Sequence, residues 1–205
     1  MIYNGNMRNH DELPVSIFEL TEPKWKGKIA MAYPLFGTAA THVASWYSVL
    51  GAERTERYLR DLKANDVMIV DCNAMSRDLV VQREVLLAFT DTDDANVAIQ
   101  KGESVGMIFP DKNGLGTLLI PNTVALIKGG PNPEQGKMLI DYLLSKEVEG
   151  RLARSMSMQI PVREDVERPP HVPRFSEIRA MAVPYRDVAD HLDESARFSR
   201  ELFVH

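Results

Sequence analysis

The sequence predicts an α/β fold built around a mainly parallel sheet. Short apolar segments alternate with longer segments of helical periodicity through the first half of the chain, and this alternation is typical of a parallel sheet covered by helices. The 205 residues are 44% apolar and 26% charged, an ordinary composition for a globular protein. A chain of this length buries roughly 70% of the surface that its unfolded form exposes, so a substantial core is expected.

Each strand is predicted from a short apolar run that ends at a turn signal. Residues 28–33 (KIAMAY) precede Pro34, and residues 85–89 (VLLAF) are apolar throughout. The strands predicted in this way are residues 28–33, 67–70, 85–89 and 105–109, with a further short strand within residues 1–6 that runs into a turn.

Helices are predicted where apolar residues recur about every 3.6 positions. Residues 38–50 place Val43, Trp46 and Tyr47 at this spacing, and Gly51 is predicted to end the helix. Further helices are predicted at residues 53–64, 76–83, 94–101, 134–144, 146–155 and 187–203. The remaining segments are predicted as a loop with one short helical turn (11–25), two extended pieces (117–127) and a surface strap (161–173).

Composition and charge exclude several classes of protein. Lys and Arg number 24 against 29 Asp and Glu, a net charge of −5, so no partnership with nucleic acid is predicted. Cys72 is the sole cysteine, which excludes an intrachain disulfide, and with no basic residue beside it Cys72 is predicted to be buried. The first residues show no secretory signal, which predicts either a cytoplasmic protein or a piece of a longer one.

A first candidate site follows the strand predicted at residues 28–33. Gly37 allows the backbone to turn, Thr38 is predicted to cap the next helix, and the free N–H groups there and at Ala39 form an anion site. The alternative is a capped helix start without a ligand. His42, one turn further along, is predicted to be a packing residue.

A second candidate site follows the strand predicted at residues 85–89. That strand is followed directly by three acids and two hydroxyls: Thr90, Asp91, Thr92, Asp93 and Asp94. Ligands bind at the carboxyl ends of strands in open α/β sheets, so this segment is predicted to bind a cation, an amine or a hydroxyl-rich solute. The alternative is that Asp93 or Asp94 only caps the next helix. Asn73, just past residues 67–70, either reaches the same crevice or is a turn residue.

Several segments, taken in order, match the pattern of one known family. They include Trp25-Lys26-Gly27-Lys28-Ile29, Gly37-Thr38, Asp91-Thr92-Asp93-Asp94, Gly116-Thr117-Leu118-Leu119-Ile120-Pro121-Asn122 and Gln159-Ile160-Pro161-Val162. In these segments the chain resembles the iron-type periplasmic solute-binding proteins, which are the substrate-binding components of ABC importers. The resemblance runs from residue 3 to about residue 162 and depends on order and spacing.

The resemblance implies a fold like that of type II periplasmic-binding proteins, in which two α/β lobes close over a ligand. This chain would supply one complete α/β lobe plus the C-terminal part of a second lobe. Residues 1–23 would be a hinge strand and connecting loop, and residues 24–115 the second lobe. Residues 116–205 would be the return hinge strand and the C-terminal part of the first lobe. Because the family normally has an export signal and further first-lobe structure, a truncated form is expected.

The resemblance also implies a function. The chain would bind a small-molecule or metal–anion ligand in the periplasm or outside the cell and deliver it to an ABC transporter permease, without a cofactor. Iron binders of the family have two adjacent tyrosines where this chain has Thr92 and Asp93, so ferric iron held by tyrosinates is not expected and no metal ligand is assigned. The predicted ligand-binding residues are Gly37, Thr38, Ala39, Asn73, Thr90, Asp91, Thr92 and Asp93.

Two other functions remain open. Asp91 and Asp93 are similar to the nucleophile and acid of haloacid-dehalogenase-type phosphohydrolases, which need Mg²⁺, although Ala95 stands where that motif has Thr or Val. The other is a remnant of a binding protein that no longer transports. Because missing first-lobe structure would uncover apolar residues at 117–127 and 138–144, a homodimer is also expected.

Overall fold

One five-stranded sheet organises the first half of the chain. The computed structural model describes residues 1–7, 13–170 and 172–204. Its strands are Ile2–Asn4 (β1), Ile29–Ala32 (β2), Met68–Val70 (β3), Leu87–Ala88 (β4) and Val105–Met107 (β5). They lie in the order β3-β2-β4-β1-β5. β2 pairs in parallel with β3 and β4, whereas β1 pairs antiparallel with β4 and β5. The predicted α/β fold is confirmed, and the sheet is mixed: four strands run in one direction and β1 runs against them.

Eight α-helices in the described residues follow and cover these strands. They are Gly37–Leu50 (α1), Ala52–Ala64 (α2), Asn73–Val81 (α3), Thr92–Gln100 (α4), Pro133–Leu143 (α5), Lys146–Ala153 (α6), Tyr185–Asp190 (α7) and Leu192–Phe203 (α8). Three short 3₁₀ segments are Ile17–Thr21, Pro23–Trp25 and Phe175–Glu177. Two of these lie in residues 11–25, where one helical turn was predicted; residues 11 and 12 of that segment fall outside the described residues.

The structure corrects four details of the prediction. α3 begins at Asn73 instead of residue 76, and α4 begins at Thr92 instead of residue 94, because neither helix start is marked by a capping side chain that the sequence would reveal. The single helix predicted at residues 187–203 is two helices that meet at His191. Cys72 is exposed, not buried, because it lies at the sheet edge where α3 begins.

The core is centred on α1. Trp46 and Tyr47 are almost fully buried, and the Trp46 ring meets the rings of Tyr58 and Phe89 edge-on, with centroids 5.3 and 5.9 Å apart. The Tyr58 hydroxyl donates to the Ile17 carbonyl over 2.7 Å, which fastens the first 3₁₀ segment to α2. Aromatic edge contacts of this kind add to the free energy gained from burial.

The second half of the chain packs less completely. α7 and α8 contact α1, and α8 also contacts α2. The extended pieces predicted at 117–127 form no strand among the described residues, apart from a bridge between Thr117 and Ala180. α5 has no buried residue, and Ile127 and Met138 are 81% and 71% exposed. No helix in the described residues is long and apolar enough to cross a membrane.

Because the two halves of the chain pack unequally, replacing a leucine by alanine should change the free energy of unfolding by different amounts in the two halves. Leu62→Ala should lower the free energy of unfolding by about 2 to 5 kcal/mol, because Leu62 is fully buried and its truncation leaves a cavity. Leu139→Ala, at a position 56% exposed, should change it by less than about 0.5 kcal/mol. Urea unfolding of both variants checks this. Equal losses would contradict the core described above.

Candidate ligand-binding site

A cavity of about 1050 Å³ lies at the carboxyl ends of β2, β3 and β4. One wall consists of the segments that follow these strands, and the other includes residues 116–124 and 159–163. Seven of the eight predicted ligand-binding residues line it: Thr38, Ala39, Asn73, Thr90, Asp91, Thr92 and Asp93. Gly37 is not a lining residue but begins α1 with φ of +57°, a conformation that glycine adopts without strain.

The side chain of Asp91 connects three of the segments that form this wall. Its Oδ2 accepts a hydrogen bond from the Thr38 hydroxyl over 2.8 Å and another from the Asn73 amide over 2.7 Å. Asn73 Nδ2 also lies 2.8 Å from the Thr38 hydroxyl oxygen, and the Thr90 hydroxyl donates to the Asn73 carbonyl over 3.0 Å. We call Thr38, Asn73 and Asp91 the Asp91 network.

Three helix N-termini meet at the Asp91 carboxylate. Thr38 is the second residue of α1, Asn73 is the first residue of α3, and Asp91 directly precedes α4. A helix N-terminus carries partial positive charge because its first N–H groups have no partner within the helix. The negative charge of Asp91 is therefore stabilised from three directions, and Asp91 in turn holds the three segments together.

Two more carboxylates extend the negative charge of this wall. Oxygen atoms of Asp91, Asp93 and Asp94 lie within 4.8 Å of one another, and Arg77 Nη1 lies 3.1 Å from Asp94 Oδ1. Burial and the neighbouring charge of Asp93 raise the pKa of Asp94 above its usual value, although Arg77 opposes the shift. One arginine against three acids leaves a surplus of negative charge, which suits a cation or an amine.

The structure argues against the simple capping roles. Phe36 occupies the N-cap position of α1, so Thr38 does not cap the helix and instead donates to Asp91. Asp93 and Asp94 lie inside the first turn of α4 and do not cap it, and the N-cap residue Asp91 makes no side-chain capping bond. The expectation that Asp93 or Asp94 caps the helix is wrong, because α4 starts two residues earlier than predicted.

Aromatic residues form the base of the cavity beside the Asp91 network. The His42 ring lies against Trp46 and Phe89, with centroids 4.6 and 5.7 Å apart. Burial lowers the pKa of His42 to about 4, so the imidazole is neutral at physiological pH. This confirms the prediction that His42 packs, and it leaves the acids as the charged groups of this wall.

No local pattern in the sequence predicts the charged pair on the opposite wall. Glu149 and Arg163 both line the cavity, and Arg163 Nη1 lies 2.7 Å from Glu149 Oε2. Glu149 belongs to α6, and Arg163 falls in the segment interpreted only as a surface strap. No local spacing connects two residues in such different segments, so only the fold reveals the pair.

A large cavity at the carboxyl ends of the parallel strands, in a sheet of this order, is the architecture of type II periplasmic-binding proteins. The comparison with known families agrees with this class. The chain belongs to the bacterial extracellular solute-binding proteins, whose family model matches residues 1–191.

Curated relatives share about half of their length with this chain. A protein of Salmonella typhi, named as a 2-aminoethylphosphonate-binding periplasmic protein, is 31% identical over 171 residues, which are 80% of this chain and 49% of that protein. Iron uptake protein A1 of Synechocystis is 26% identical over 191 residues, or 88% of this chain and 52% of that protein. The chain thus spans about half the length of the curated relatives it matches.

Solved structures show the same fold. The ferric binding protein from Campylobacter jejuni superposes with a TM-score of 0.84 at 21% identity, covering 98% of this chain and 66% of that chain. Iron-bound HitA from Pseudomonas aeruginosa gives a TM-score of 0.83 at 23% identity, covering 99% and 66%. At these identities the likeness establishes the fold, and about a third of each of those chains has no counterpart here.

The Asp91 network predicts a large difference between two neighbouring acids. Asp91→Ala should lower the free energy of unfolding by about 1 to 3 kcal/mol, because Thr38 and Asn73 lose a charged acceptor in a partly buried site. Asp93→Ala, in the first turn of the same helix, is the matched control and should cost less than about 1 kcal/mol. Thermal and urea unfolding measure both. Equal costs would mean that Asp91 does not hold the segments together.

Proposed function

We propose that this chain is the substrate-binding part of an ABC importer, and that it takes up a small polar solute with an anionic group. The observation that carries the proposal is the Asp91 network at the wall of a large cavity, at the edge of the sheet where the fold binds ligands. The proposed site consists of the eight residues predicted above. In this proposal the protein acts in the periplasm or outside the cell and delivers its ligand to a membrane permease.

The chemistry of the wall supports a ligand with two kinds of charge. The first N–H groups of α1, at Thr38 and Ala39, are donors for an anionic group. Asp91 and Asp93 are acceptors for a positive or hydroxyl-bearing end, with Asn73 beside them. A purely anionic solute would meet the surplus negative charge of the acids, so a solute that also carries an amine, or a cation bound with its anion, fits better.

The relatives' names are consistent with this choice. 2-Aminoethylphosphonate, for which the Salmonella relative is named, carries an amine and a phosphonate. Other relatives are named for iron, but this chain has Thr92 and Asp93 in the place expected for an iron binder's paired tyrosines. We therefore favour an amine-bearing oxyanion over ferric iron.

We also propose the division of the chain that the resemblance implies. Residues 1–23 form the hinge strand and its loop, residues 24–115 the second lobe, and residues 116–205 the return strand with the C-terminal part of the first lobe. Residues 8–12, 171 and 205 fall outside the described residues. α7 and α8, in residues 116–205, contact α1, which belongs to residues 24–115. The last range therefore packs against the proposed second lobe.

An enzymatic function has less support. The family and the fold are those of transport binding proteins. In addition, Asp91 Oδ2 already accepts two hydrogen bonds, and no observation favours Asp91 as a nucleophile over Asp91 as a binding residue. We propose that the chain binds its ligand without chemical turnover.

Calorimetric titration against a panel of metals, phosphorylated solutes and amines, with 2-aminoethylphosphonate included, tests the proposal. Asp91→Asn should weaken binding about tenfold to hundredfold, because one charge-assisted hydrogen bond to the ligand contributes about 1.5 to 3 kcal/mol. Asp61→Asn is the matched control, because it removes the same charge from α2, away from the cavity-lining residues. This variant should bind the ligand as the wild-type protein does.

Two outcomes would contradict this proposal. Hydrolysis of a phosphate ester with Mg²⁺, lost in Asp91→Asn, would establish the phosphohydrolase. Absence of binding to every member of the panel would favour the remnant that no longer transports.

We further propose that the exposed apolar patch mediates a homodimer. The patch comprises Ile127, Met138, Leu139, Tyr142 and Leu144, each at least 47% exposed. Exposed apolar surface of this kind marks association sites. Ile127→Glu should shift the protein from dimer to monomer in sedimentation velocity at tens of micromolar. Val15→Glu, at a site 74% exposed outside the patch, should not. A wild-type protein that sediments as a stable monomer would contradict the proposal.

A further inference from the structure

The cavity has one feature that the proposed site does not use. The proposed anion donors and the acids lie on one wall, whereas the facing wall contains Arg163. Among the described residues that line the cavity, Arg163 is the one with a Lys or Arg side chain. His42, on the first wall, is neutral because burial lowers its pKa to about 4. Among the described lining residues, Arg163 is therefore the cationic side chain that a ligand in this cavity can reach.

Arg163 is held in place by Glu149. Glu149 Oε1 accepts hydrogen bonds from the backbone N–H groups of Val162 and Arg163, over 2.5 and 3.0 Å, and its Oε2 lies 2.7 Å from Arg163 Nη1. Burial alone would raise the pKa of Glu149, but the hydrogen bonds from Arg163 and the backbone outweigh it and hold that pKa below its usual value. Both carboxylate oxygens are thus engaged.

The pairing with Glu149 leaves part of the guanidinium available. The hydrogen bond to Glu149 uses Nη1 of Arg163. Within the described part of the chain, neither Nε nor Nη2 of Arg163 has a hydrogen-bond partner. Nε and Nη2 together present parallel N–H donors, the edge that binds a carboxylate or a phosphate through two hydrogen bonds. The Arg163 side chain is 44% exposed and that of Glu149 is 15% exposed, so the arginine is the accessible member of the pair.

We infer that Arg163 is the cationic contact for an oxyanion in this cavity, and that Glu149 is the residue that positions it. The inference rests on the proposed binding function and deepens it, because it names the chemical class of the anionic group: a phosphonate, phosphate or carboxylate. An oxyanion bound at the start of α1 directs its remaining oxygens away from that helix. A contact from Arg163 would join the ligand to the part of the chain beyond residue 116, so both walls would hold one ligand.

Calorimetric titration with 2-aminoethylphosphonate, inorganic phosphate and ethanolamine tests the inference. Arg163→Gln should weaken binding of the two oxyanions roughly tenfold to hundredfold and leave binding of ethanolamine unchanged. Arg163→Lys, which keeps the charge but loses the bidentate contact, should lower the affinity for the oxyanions less than Arg163→Gln does. Arg151→Gln is the matched control. Arg151 pairs with Glu147 on the surface of α6 and does not line the cavity, so its loss should change affinity by less than about twofold.

The outcomes separate the inference from the function on which it rests. If the wild type binds the oxyanions and Arg163→Gln binds them as Arg151→Gln does, the inference is overturned and the proposed function stands. If Arg163→Gln loses ethanolamine and the oxyanions equally, Arg163 has a structural role only and the inference is again overturned. If the wild type binds none of the three probes or any other solute in the panel, the proposed function fails and the inference fails with it.

Discussion

The arrangement of the site depends on one interaction at the carboxyl edge of the sheet. This is the contact between the Asp91 carboxylate and the first turns of α1 and α3. Parallel strands point their carboxyl ends the same way, so the helices that follow them all begin at the same edge of the sheet. Partial positive charges from several helices would repel one another there without an anion. Asp91 supplies that anion from the chain itself, and its two hydrogen bonds set the spacing between α1 and α3.

This interaction also limits what the cavity can accept. A ligand anion that approaches the start of α1 enters a place where the protein already has a negative charge. The ligand must therefore either bring a positive group for the acids or find a second source of positive charge. The facing wall has such a source in Arg163, which comes from a segment far along the chain. In the proposed site the acids lie on one wall and Arg163 on the other, and this difference would orient a solute that carries both signs.

The sequence was most informative where local pattern and position in the sheet coincide. The apolar run 85–89 contains β4 and is followed at once by hydroxyls and acids, so both the strand and the sheet-edge site could be predicted from neighbouring residues. Helix starts were less predictable, because Cys72 and Asp91 occupy N-cap positions without a capping hydrogen bond. The break at His191 and the contact between Glu149 and Arg163 depend on tertiary packing, which leaves no periodic signal in the chain.

The position of β1 has a consequence for how the molecule is made. β1 comes first in the chain, yet it lies between β4 and β5, and Ile2 pairs with both Ala88 and Met107. At the usual rate of protein synthesis, the last of these partners follows β1 out of the ribosome only after roughly 5 to 20 s. β1 can pair with β4 once residue 88 has emerged, but its other edge stays unpaired and the sheet incomplete until β5 follows. Such a delay keeps the nascent chain open to chaperones for several seconds after its first strand has emerged.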